Sequence, residues 1–213
     1  MIFNSKDKGF TLLEITVVVA VIALLSTIFL VNYRGGDKQY ALLRASHKLA
    51  QDLRTVEEMA LSSRKTPLEK FGGTFPKGGY GIYVKISNLT VNDCPSYSQG
   101  YCIILFADCD GEGDYDYWGT GVHDCASAEF GSGNSVADEI IKELTLEDGV
   151  KITGLPDPSN PLIITFLPPE PTLVIKNGGE VLESAFIRLG YEGKTEGKQI
   201  NINRLGQIEI TPY

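Results

Sequence analysis

Between Phe10 and Val31 the chain runs for 22 residues with a single charge, Glu14, in "FTLLEITVVVAVIALLSTIFLV". At 1.5 Å per residue a helix of that length reaches about 33 Å, enough to cross the hydrocarbon core of a bilayer. A carboxylate inside such a segment costs about 2–4 kcal/mol on insertion scales, so it needs a partner or a role. The chain has 213 residues, which leaves one domain of ordinary size beyond the apolar run.

Two ordinary readings of this N-terminus compete. A cleaved secretory signal has an apolar region of about 7–15 residues that ends at small side chains. Here Val19, Ala20, Val21 and Ile22 lead straight into more apolar sequence. An uncleaved signal anchor fits the length and the short charged start with Lys6 and Lys8. Neither accounts for Glu14 beside "KGF".

The stretch "KGFTLLEITVVVAVIALL" resembles the leader and N-terminal helix of type IV prepilins, shared by pilins and secretion-system pseudopilins. A glycine precedes the cut, an aromatic follows it, a Glu stands four residues on, and the apolar helix is unbroken. The resemblance implies that a prepilin peptidase cuts between Gly9 and Phe10 and N-methylates Phe10. Gly9 lets an extended backbone press into a protease groove. Cutting leaves a cationic amine on Phe10 at membrane depth, and two opposite buried charges compensate when they meet. In the family, Glu14 of an incoming subunit would meet the Phe10 amine of its neighbour. The implied precursor is single-pass in the inner (cytoplasmic) membrane and becomes part of an extracytoplasmic filament. Its implied partners are the peptidase, other pilin or pseudopilin subunits, and an inner-membrane assembly platform with its ATPase.

From Tyr40 the pattern is helical again. Leu42, Ala45, Leu49, Leu53, Val56 and Ala60 form one apolar stripe, with Arg44, Lys48, Gln51, Thr55, Glu58 and Ser62 opposite. Gly35-Gly36 is expected to weaken or kink the helix, and Pro67 with "FGGTFPKGGYG" to end it. His47 reads as a surface residue rather than a ligand. Beyond residue 67 the periodicity changes to strands, in "YGIYVKI", "YCIILFA", "IIKELTL", "LIITFL", "TLVI", "AFIRLGY", "KQININR" and "GQIEI". "INRLGQIEI" reads as a terminal hairpin turning at Leu205-Gly206. Pro156, Pro158, Pro161, Pro168, Pro169 and Pro171 surround one strand and suit an edge or long loops better than a central position. The expected fold is α+β: a long N-terminal helix followed by an antiparallel β-sheet domain. Its parts are a leader at 1–9, a transmembrane and assembly half-helix at 10–33, an amphipathic half at 34–66, and a β-rich domain at 67–213.

"LAQDLRTVEEMALSSRKTP", "GGYGIYV" and the terminal "NRLGQIEI" are loosely similar to GspH/FimT-like minor pilins and pseudopilins. That likeness implies a subunit that initiates a filament or sits at its tip. The segment at about 92–138, rich in Cys, Asp and Gly, departs from the family. Cys94, Cys102, Cys109 and Cys125 fall within 32 residues on the expected extracytoplasmic side, where thiols oxidise. Two disulfides are the main reading, and closure entropy favours Cys94–Cys102 with Cys109–Cys125 by a small margin. A Cys₄ zinc site is the rival, without a Cys-x-x-Cys pair to support it.

"DCDGEGDYD", residues 108–116, begins like a calcium loop. Asp108, Asp110 and Glu112 alternate ahead of Gly113, and Asp114 and Asp116 occupy the next ligand spacings. Gly119 stands where the closing Glu belongs, so Asp138 or Glu139 would have to close the site. The alternative is an acidic surface turn with Asx hydrogen bonds.

The net charge of −8 and the absence of a dense Lys/Arg cluster remove nucleic acid as an expected partner. His123, Asp124 and serines at 127, 132 and 135 offer the residue types of a hydrolase triad. No Gly-x-Ser-x-Gly elbow or phosphate loop supports one, so an enzyme is not expected. The type IV pilus, type II secretion and competence systems share this signal. The functional alternative is a ligand-binding tip module, an adhesin or DNA-uptake pilin.

Overall fold

A computed structural model describes residues 9–65, 75–86, 100–115, 138–168, 172–191 and 196–213, with only the backbone described between 29 and 36. The chain divides into two compact units, Met1–Tyr40 and Ala41–Tyr213. Helix α1 spans Leu12–Leu61 and contributes to both. The expected weakening at Gly35-Gly36 does not break it. Glycine costs a helix about 1 kcal/mol relative to Ala but removes no backbone donor. Its end also differs from expectation, since α1 stops at Leu61, ahead of Pro67. Ser63 takes a left-handed φ of 45°, and the amides of Ser63 and Arg64 donate back to Ala60 O and Met59 O, both at 3.1 Å. This is a Schellman-type ending with serine in the position glycine usually fills.

Two antiparallel sheets follow. The larger runs β3 (Glu139–Glu143), β2 (Cys102–Asp108), β1 (Gly79–Lys85), β5 (Leu162–Leu167), β6 (Thr172–Asn177) and β7 (Glu180–Val181), in that spatial order. The smaller runs β10 (Ile208–Pro212), β9 (Gly197–Asn203), β8 (Ser184–Tyr191) and β4 (Val150–Gly154). The α+β architecture is therefore the one expected, and the terminal hairpin turns at Leu205-Gly206 with Gly206 at φ 76°. The proline cluster points the wrong way: β5 is interior, paired with β1 and β6. The prolines flank Leu162–Leu167 without entering it, so every ladder donor of the strand is kept.

One core joins the helix stripe to both sheets. Leu42, Ala45, Leu49, Leu53, Val56 and Ala60 are all buried against inward residues such as Ile82, Ile164, Ile187 and Ile200. A second buried cluster covers the opposite face of the larger sheet: Tyr83, Cys102, Ile104, Phe106, Ile163 and Tyr115. The nearly continuous apolar runs of β2 and β5 follow from this, because strands covered on both faces have no solvent side to make polar.

Candidate functional site

A Cβ placed on Gly9 would meet nothing within 4 Å among the described residues, and Phe10 is 79% exposed, so the expected cut site is open to an enzyme. Thr11 then caps α1: the Glu14 amide donates to Thr11 Oγ1 at 3.2 Å. "TLLE" is thus a capping-box spacing that the family resemblance overshadowed, and the S/T-x-x-E rule would have found it. Glu14 lies exposed in the first turn, where its charge also favours the positive end of the helix. From Leu12 to Ile28 the large apolar side chains are all about half exposed or more, Val21 least at 49%. The hydroxyls in this stretch turn inward to their own backbone. Thr16 donates to Leu12 O, Ser26 to Ile22 O and Thr27 to Ala23 O, at 2.8–3.1 Å. Back-bonding of this kind leaves a surface with almost no polar demand. Among the described residues no helix is long and apolar enough to cross a membrane. The described apolar side chains stop at Ile28, whereas the expected span continues to Val31, beyond the described side chains.

The acidic loop begins at the end of β2. Asp108 is 0% exposed, and its two oxygens accept from the Gly111 amide at 2.7 Å and the Gly113 amide at 2.8 Å. Burial pushes its carboxyl up to about 6, against the pull of those two amides, and the Asp110 charge adds to the rise. Asp138, 1% exposed, accepts from the Cys109 amide at 2.9 Å. Carboxylate atoms of Asp108, Asp110 and Asp138 lie within 4.8 Å of one another. The other expected ligands stand apart from this group. Glu112 is exposed and offers its backbone oxygen to Lys176 Nζ at 2.6 Å, and Asp114 pairs with the same ammonium at 3.5 Å. Glu139 is buried, and Asp116 lies outside the described residues.

Cys102 and Cys109 are buried and disulfide-bonded; Cys94 and Cys125 lie outside the described residues. Cys102 opens β2 and Cys109 follows its last residue. Seven strand steps separate them by about 23 Å, so they neither bond each other nor share one zinc ion. His47 is exposed, as expected. His123, Asp124 and the three serines of the arithmetic triad lie outside the described residues.

Residues 4–30 match the prokaryotic N-terminal methylation motif. The chain therefore carries a type IV prepilin-like signal, the mark of a pilin- or pseudopilin-type precursor, which favours a structural protein over an enzyme. No curated protein and no solved structure matches the chain.

Proposed function

We propose that the chain is a structural subunit, a minor pilin or pseudopilin, of a type IV pilus or type II secretion-like filament. The observation that carries this reading is the methylation motif at residues 4–30, set on a helix whose apolar side chains lack cover within their own unit. Such a surface is stable only in lipid or against other helices. Prepilin peptidase cuts between Gly9 and Phe10 and methylates Phe10, while residues 10–33 hold the precursor in the inner membrane. Assembly is driven by a platform and its ATPase, and Glu14 meets the Phe10 amine of the neighbouring subunit. The "GYGIYV" strand and the terminal hairpin support the GspH/FimT-like assignment.

A second reading, a ligand-binding tip module, is favoured by the Cys-, Asp- and Gly-rich sequence at about 92–138, whose Tyr115 packs over Tyr83 and Phe106 at 4.8 and 5.1 Å between ring centroids. On that reading, Cys94–Cys102 and Cys109–Cys125 fasten the segment at the two ends of β2. A calcium ion suits the three converging carboxylates, two of them buried. Asp108, Asp110 and Asp138 would supply part of the six to eight oxygens calcium takes, with loop carbonyls or water supplying the rest.

Intact-mass analysis of membrane-extracted protein tests the processing step. The expected N-terminus is methylated Phe10, and Gly9→Val should retain the leader. A wild-type chain that begins at Met1 or inside the apolar run would overturn the reading.

A further inference from the structure

The outward face of the smaller sheet is arranged in rows across its strands. One row is Gly154, Arg188, Gln199 and Thr211, on β4, β8, β9 and β10. The row on one side holds Phe186, Asn201 and Glu209, and the row on the other holds Lys151, Gly190, Gly197 and Tyr213. Tyr213 lies down on the two glycines. A Cβ at Gly197 would fall 2.4 Å from its ring, and one at Gly190 would fall 3.1 Å from its hydroxyl. The Tyr213 hydroxyl is bound to Thr153 Oγ1, and its backbone pairs with Gly197. Arg188 is therefore held between two rings, 4.6 Å from the Phe186 centroid and 5.1 Å from that of Tyr213. Guanidinium stacking of this kind fixes the group and leaves its edge open.

The hydrogen bonds on this face run in one direction. Arg188 Nε donates to Gln199 Oε1 at 2.8 Å, Gln199 Nε2 to Asn201 Oδ1 at 2.6 Å, and Asn201 Nδ2 to Thr211 Oγ1 at 3.1 Å. Each amide oxygen already receives a donor. Among the described residues, what remains unspent is two guanidinium NH₂ groups, one N–H on each amide and the Thr211 hydroxyl. Among the described residues no carboxylate pairs with Arg188, in a chain that carries 27 acidic against 19 basic side chains.

We infer that this face is a docking surface for an acidic polypeptide segment of a partner, one carboxylate of which takes the fork of Arg188. The warrant is charge complementarity at a prearranged donor array, the geometry that Arg offers to a planar carboxylate. A second acceptor of the segment would take the amide N–H groups of Gln199 and Asn201, one strand spacing away. Two competing ligand classes fit less well. Nucleic acid needs several cations in register, and among the described residues this face sets Arg188 and Lys151 against the acid Glu209. A sugar would stack on an aromatic face, but both rings already face the guanidinium. Glu209 is the cross-strand neighbour of Asn201, so the acceptor taken there is a neutral carbonyl rather than a second carboxylate.

The test uses the processed full-length chain in non-ionic detergent, titrated with a blocked tri-glutamate peptide. The readout is the Nε–H signal of Arg188 and the side-chain NH₂ signal of Gln199 in proton–nitrogen correlation spectra. A saturable shift with a Kd of about 1 mM is expected for one charge-assisted fork. Arg188→Gln should weaken binding at least tenfold. Arg188→Lys, which keeps a cation without the fork, should weaken it about fivefold, with an unchanged melting temperature showing that the fold is intact. Tri-glutamine should not bind. The inference is overturned by an unmoved Arg188 signal, by equal binding of tri-glutamine, or by wild-type affinity in Arg188→Lys. Tighter binding of a uronic-acid trisaccharide or a hexanucleotide would overturn the choice of a polypeptide.

Discussion

Glu14 has two jobs available in one place, as the acid that suits the first turn of α1 and as the partner of an amine on another chain. They separate by substitution. Glu14→Leu should still be cut at Gly9 and should remain in membrane at least as well, because a polar group has left the apolar surface. It should enter filaments poorly, as measured by the fraction of subunit in sheared filament preparations. Wild-type incorporation would reduce Glu14 to a helix-start residue. The acidic loop needs a similar separation. Asp108 alone is a poor probe of calcium, because its oxygens also brace the amides of Gly111 and Gly113. Asp110→Ala is cleaner, since Asp110 braces the amide of Glu112, at 3.1 Å, on the exposed side of the loop. Millimolar calcium should raise the melting temperature of the wild-type chain and leave that of Asp110→Ala nearly unmoved. Asp108→Ala should lower it with or without calcium. At this scale the spacing picked out Asp108 and Asp110, whereas Asp138 was one of two closing carboxylates on offer, Glu139 being the other, and it is Asp138 that lies beside them. The turn of Asp114 toward Lys176 was not, because that pairing depends on β6 lying beside the loop.

The elements carry their own tests. Ser63 occupies a left-handed conformation that favours glycine. Ser63→Gly should therefore stabilise the chain by about 0.5–1 kcal/mol in denaturant titration, and a loss of stability would show that its side chain matters more than its φ. The loop between β3 and β4 is fastened to α1 by Arg44, whose Nε and NH2 groups reach the Glu147 carboxylate at 2.9 and 2.8 Å. That hydrogen bond holds Glu147 below its ordinary value of 4.5. A depressed folded value gives stability that is present above 4.5 and lost as the pH falls below it. Glu147→Gln should thus differ from wild type at pH 7 and converge with it near pH 3. Most strands were legible because their apolar runs are bounded by turn residues. β4 escaped because "VKITG" is five residues long with a polar alternate face, and β7 because two residues carry no periodicity. The edge assignment of β5 failed for a different reason. Prolines show where a strand cannot be and say nothing of how many neighbours it has.

For the whole molecule, the order of parts was readable from two changes of period: an unbroken apolar run, a stripe at helical spacing, then alternation. The division into two sheets was not, since neither sheet is marked by length or composition and both share one core. The segment was recognised by its cysteines, but the packing of Tyr115 on the outward face of the larger sheet depends on Tyr83 and Phe106, which as residues of apolar runs look like any others. Peptide mapping under non-reducing conditions should recover Cys94 linked to Cys102 and Cys109 linked to Cys125. The crossed pairing would mean that the insertion folds back along β2.

The stripe from Leu42 to Ala60 also has a mechanical meaning. It belongs to the same covalent helix as the apolar half and to the same core as both sheets. Tension applied to α1 from its N-terminal side would reach the β domain through this stripe and the polar ties of Arg44 and Lys48 beside it. Leu49, Leu53 and Val56, buried to 2% or less, form the middle of that joint. Among the described residues the disulfide-bonded cysteines, Cys102 at the start of β2 and Cys109 just past its end, lie away from this segment of chain. The joint holds as long as these apolar contacts, with the Arg44–Glu147 and Lys48–Thr145 ties beside them, hold.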